Sequence, residues 1–99
     1  MEHTENQIAM LKVNLGLRAV TYEQDQYLGQ LLDTAISRLQ RDGITLDPDD
    51  AEHDQLVVMY AAWLYRKRAE DPEQQAMPLM LRTLRNSLLF GQKMAEGAE

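Results

Sequence analysis

Between Leu28 and Leu39, the apolar residues Leu28, Leu31, Leu32, Ala35, Ile36 and Leu39 recur at i, i+3, i+4, i+7, i+8 and i+11 without a miss. Only an α-helix with one buried side gathers those positions into a single stripe, because 3.6 residues complete each turn. Gly29, Gln30, Asp33, Thr34, Ser37 and Arg38 fill the opposite face. Thr21 and Gln24 have the spacing of a capping box, and Asp42-Gly43 places a glycine where helices often close in the left-handed region. The spacing predicts a helix over 22–42.

Three more helices follow from the same logic. Thr4 and Gln7 repeat the capping box, Ile8, Leu11 and Leu15 mark a stripe, and Gly16 is a stop, predicting a short helix over 5–15. Asp47 can cap a third helix over 48–69, with Pro48 in its first position and Asp49 and Asp50 at the positive end of its dipole. Its centre, LVVMYAAWLY, is apolar all the way round, so it needs cover on every side. Three short neighbours are expected to leave part of it bare. Arg66-Lys67-Arg68 sits at its negative end.

Residues 70–76 form a polar linker, and Pro78 opens a fourth helix over 78–91. Met77, Leu81, Leu84 and Leu88 share one face, with Leu79, Met80, Leu89 and Phe90 on its flanks. Gly91 is expected to end it, leaving KMAEGAE as a frayed tail. No period-two alternation runs long enough for a strand. The expected fold is all-α: a single small domain spanning 1–99 with an ordered core of about 5–91. Helices two and three form its central antiparallel pair, with Leu31, Leu32, Ile36, Val57, Ala61 and Leu64 between them.

Ninety-nine residues suit one core, and the chain has no cysteine, so neither a disulfide nor a thiolate metal site is available. The longest apolar run, Leu56 to Tyr65, is half what a bilayer requires. The polar, acidic start MEHTENQ does not resemble a signal or transit peptide, so a soluble, membrane-free protein is expected. A formal charge of −6 argues against nucleic-acid binding, which usually draws on a basic surplus. The charge is also divided: residues 1–54 hold eleven acids against four bases, and residues 55–99 five acids against six bases. Such a division can steer identical copies head to tail.

Sites for chemistry are sparse. His3 is expected in a mobile terminus, and His53 on the surface among acids, too few ligands for a metal. Asp42, Asp47, Asp49, Asp50, Glu52 and Asp54 crowd one stretch but fail the spacing of a calcium loop. Ser37 and Ser87 have no base in a recognisable pattern, and the five glycines form no phosphate loop. Trp63 and Tyr65 beside three bases fit helix-end charge better than base stacking. The six methionines read as gap-fillers in core or interface. Neither catalysis nor a cofactor or metal is expected.

Three stretches carry a likeness: MLKVNLGL, TYEQDQYLGQLLDTAISRLQRDG and LVVMYAAWLYRKRAEDP. With the fourth helix LMLRTLRNSLL they span roughly residues 8–90. Their order resembles the small head–tail connector proteins of tailed bacteriophages, also called head-completion or adaptor proteins. In that resemblance Asp25, Leu28 and Ala35 match the second helix, and Tyr65, Arg66 and Arg68 the aromatic–arginine end of the third. The chain departs from the family in a more hydrophobic fourth helix through Leu88-Leu89-Phe90.

The resemblance implies a non-enzymatic ring between portal and tail, with the genome passing through its channel. Partners would be further copies of the chain and the portal and tail-completion proteins, in a virion or in the cytoplasm of a bacterium carrying a prophage. The residues expected at the oligomer interface are Tyr60, Trp63, Tyr65, Arg66, Arg68, Arg82 and Arg85, with Asp49, Asp50 and Glu52 opposing them. Two other readings stand beside it. A helix-turn-helix DNA-binding regulator would need a basic or amide-rich start to its recognition helix, whereas the third helix opens with DPDDAEHDQ. The other is a helical partner-binding module of no particular family.

Overall fold

A computed structural model describes residues 2–47, 49–67 and 77–97. Four helices follow in order: α1 (Glu5–Leu15), α2 (Tyr22–Arg41), α3 (Ala51–Lys67) and α4 (Leu79–Gly97). No strand occurs among the described residues. Both capping boxes form, Thr4 with Gln7 and Thr21 with Gln24, each threonine oxygen accepting the backbone N–H three residues on. Gly16 closes α1 at φ 72°, with Leu17 N–H reaching back to Lys12 O at 2.9 Å. Gly43 closes α2 at φ 96°, with Ile44 N–H on Leu39 O at 3.1 Å. Both are glycine closures whose backbone bonds satisfy carbonyls left open at the helix end.

The α2–α3 pairing is the most extensive in the molecule, and α3 also packs on α1 and α4. Lys12 meets Asp25 at 2.7 Å, and His3 meets Asp33, so α1 and α2 run in opposite directions. Tyr27 lies beside Tyr65, which sets α2 antiparallel to α3. The core between them holds Leu28, Leu32, Ala35, Ile36 and Leu39 of α2 against Leu56, Val57, Tyr60 and Ala61 of α3. Leu31 and Leu64, expected in that core, are half-buried at its edge.

Several expectations need correction, though the third helix does keep an open strip along Val58 and Met59, with Leu56, Val57, Tyr60, Ala61 and Ala62 buried and Trp63, Leu64 and Tyr65 half-buried. It begins at Ala51 because Asp50 is its cap, its Oδ1 accepting the N–H groups of Glu52 at 2.9 Å and His53 at 3.4 Å. Asp47 instead holds a separate turn, accepting from Asp49 N–H at 2.9 Å, and Pro48 lies outside the described residues. His3 is not loose. Its ring sits on Gly29 of α2, where a Cβ would come within 2.9 Å, and its N–H and Nδ1 both reach Asp33 Oδ1. Gly29, expected on the solvent face, is therefore buried.

The fourth helix also runs past Gly91 to Gly97. Leu81 is fully buried, while Leu84, Leu88 and Leu89 pack half-buried against the core. Gln92 fixes the helix to the α2–α3 connector, accepting from Thr45 N–H at 2.8 Å and donating to Thr45 O at 2.7 Å. Arg85 approaches Asp42 at 3.5 Å. A Cβ at Gly91 would meet open space in a helical backbone. Gly91→Ala should accordingly raise stability by about 0.5–1 kcal/mol, read as a higher urea midpoint. A lower midpoint would place Gly91 at a helix end after all.

Candidate functional site

Among the described residues two apolar surfaces stand out as uncovered, one lined mainly by α1 and α3 and the other on α4. The first is an open groove of about 840 Å³ running along α3. Ala51, Gln55, Val58 and Met59 form its floor, Ala9, Met10, Val13 and Asn14 of α1 one wall, and Met80 the other. It exists because α1 is apolar on two sides. Leu11 points into the core with Ile8 and Leu15 beside it, whereas Val13 on the far side is 81% exposed. A stripe search finds the first face. The signal for the second is Ala9, Met10 and Val13 lying off that stripe.

No lining residue of the groove is charged, but the surfaces beyond its two ends differ in charge. At the α3 N-terminus lie Asp49, Asp50 and Glu52, of which Asp49 and Glu52 are exposed. At the other end Arg66 Nη2 donates to Asn14 O and Oδ1, both at 3.3 Å. That cation sits over the carbonyl end of α1, where positive charge is favoured.

The second surface is the outer side of α4. Leu79, Phe90 and Met94 are 68%, 67% and 61% exposed, on the side away from Leu81, Leu84 and Leu88. From Leu79 to Met94 the helix carries Arg82, Arg85 and Lys93 and no acid.

The expected interface residues are not gathered in one place. Asp49, Asp50 and Glu52 cluster at the start of α3, with Asp50 committed to capping. Tyr60 is buried and stacks edge-on to Trp63, with ring centroids 5.4 Å apart, so it supports the surface from beneath. Trp63 is half-buried with the Lys67 ammonium 5.0 Å over its ring. Tyr65 is half-buried against Tyr27. Arg82 is exposed, while Arg85 faces Asp42 of its own chain. Arg68 lies outside the described residues, as does the expected linker over 70–76.

One polar pair crosses the core. Gln7 is fully buried and donates from Nε2 to Asp54 Oδ1 at 3.0 Å, while its Oε1 accepts Thr4 N–H at 2.9 Å. Every buried side-chain nitrogen or oxygen among the described residues has a partner. His53 is half-buried and accepts Asp47 N–H on Nδ1 at 2.7 Å, a structural bond closing the loop before α3. Among the described residues no three His, Asp or Glu side chains converge as metal ligands, and no helix is long and apolar enough to cross a membrane. What the arrangement offers is surface: an apolar groove between α1 and α3 with acids beyond one end, and a helix side on which Leu79, Phe90 and Met94 stand exposed among cations and neutral polar residues. No family model, characterised protein or solved structure matches the chain.

Proposed function

We propose that the chain is a structural protein of a tailed phage or prophage, forming an oligomeric ring adaptor between portal and tail through which DNA passes. The observation that carries this reading is the pair of unlike apolar surfaces on one small helical chain, the α1–α3 groove and the outer side of α4. A subunit that meets its neighbours through two different patches makes head-to-tail contacts, and these close into rings when the rotation allows. An acidic balance suits a channel that passes DNA without holding it, since like charges repel the phosphate backbone. The connector resemblance over residues 8–90 points the same way. A DNA-binding regulator is disfavoured by the acids at the start of α3 and by the contacts of Arg66 with Asn14 and Lys67 with Trp63.

Native mass spectrometry across protein concentration tests the reading. Oligomers of one closed size are expected to grow in with concentration, or to form when portal particles from the same genome are added. Exposed ion pairs are worth only ~0–1 kcal/mol each, so the charges orient the contact while apolar side chains hold it. Arg82→Glu should weaken assembly several-fold and leave the monomer folded. Arg85 is the poorer probe, because its reversal would also repel Asp42 in its own chain. A sequence-selective DNA complex in fluorescence anisotropy at physiological salt would favour the regulator instead.

A further inference from the structure

The groove and the exposed side of α4 match each other in size, chemistry and charge, yet they cannot meet within one subunit. Leu81, Leu84 and Leu88 hold the inner side of α4 on the core, so Phe90 and Met94 face away from the groove of their own chain. We infer that the groove between α1 and α3 receives the outer side of α4 from a second copy of this chain, with Phe90 and Met94 as the inserted side chains. The inference rests on the reading of the chain as a self-assembling ring protein and names the two surfaces that join.

Size comes first. The groove floor runs from Ala51 to Met59, about 12 Å of helix at 1.5 Å per residue. That is room for roughly two turns of an incoming helix. Phe90 and Met94, four residues apart, project from neighbouring turns on one side and span about 6 Å. Chemistry agrees: an aromatic and a thioether enter a lining that includes Met10, Met59 and Met80, side chains that adapt to irregular shapes.

Charge sets the direction. Arg82 lies about 12 Å before Phe90 along the incoming helix, and Lys93 flanks the inserted pair. With Phe90 seated over Gln55 and Met94 over Met59, Arg82 falls beyond the floor, near Asp49 at the α3 N-terminus. The carbonyl end of the incoming helix then points toward Arg66, where a cation favours it. The reverse direction would set Arg82 against Arg66 and the negative helix end against the acids. A copy that inserts its α4 still presents its own groove, so the contact propagates from subunit to subunit.

Because the chain has no cysteine, introduced thiols report the contact alone. Val13→Cys in the groove wall and Phe90→Cys on α4 both change exposed positions. Each single variant would be treated with a short bismaleimide alone, and the two as a mixture. A covalent dimer is expected only in the mixture, and the double variant is expected to give a ladder of dimers, trimers and larger species. The pair Met59→Cys with Met94→Cys should behave alike and guards against one unfavourable thiol geometry. Equal dimer yields from either single variant alone would indicate a symmetric contact and overturn the inference. Absence of mixed dimer with both pairs would also overturn it. A ladder with bare portal particles would support this contact and sink the connector reading. Decorated portals without any cross-link would do the opposite.

Discussion

Leu32→Ala should lower the free energy of unfolding by about 2–5 kcal/mol, because the deleted side chain leaves a cavity that close-packed neighbours fill only in part. Leu32 is fully buried between α2 and α3, the most extensive pairing in the molecule. Domains of this size commonly hold only about 5–15 kcal/mol in reserve, so the variant would sit near its unfolding threshold at moderate temperature. Urea denaturation followed by circular dichroism measures the effect, with the midpoint falling and the slope unchanged. An unchanged midpoint would mean that Leu32 does not face the core.

Gln7→Leu should be nearly as damaging although it replaces a polar side chain by an apolar one of similar size. It removes the donor that Asp54, only 8% exposed, takes at 3.0 Å, and with it the reciprocal half of the α1 capping box. A buried group stripped of its partner costs about 1–3 kcal/mol, more if charged, and a lost cap about 0.5–2 kcal/mol. A loss of about 2–4 kcal/mol is therefore expected. Adding Asp54→Leu to Gln7→Leu should recover part of it, since the orphaned acceptor is then gone. Strict additivity of the two single losses would show that the pair does not interact.

The parts of the fold readable from the chain were those whose cause is local. The stripe from Leu28 to Leu39, both threonine–glutamine boxes, and the closures at Gly16 and Gly43 each depend on residues within a few positions of one another. Contacts between distant segments were not readable. His3 against Gly29 joins the N-terminal segment to the middle of α2, and no periodicity in either segment reports it. The Gln7–Asp54 bond spans 47 positions and likewise leaves no pattern. Where one stretch offers several local answers, sequence does not choose between them: Asp47 and Asp50 can both cap, and the structure uses Asp50 for α3.

Gly91 shows the same ambiguity. A glycine after Phe90 resembles a stop, but Gln92 continues the face of Leu84 and Leu88 and bonds the connector at Thr45, which carries the helix onward. Of the candidate surface, the apolar flanks of the fourth helix and the acids before the third were legible as composition. Their counterpart was not. The groove needs α1 and α4 to flank one strip of α3 and leave it open, as well as a second apolar side on α1, and relative helix placement is set by the whole core.

Electron microscopy of portal particles mixed with the purified chain tests the central claim most directly. The account predicts a closed ring of copies seated on the portal, with an open central channel and neighbouring subunits related by rotation about its axis. Bare portals, together with a protein that stays monomeric at millimolar concentration, would contradict it.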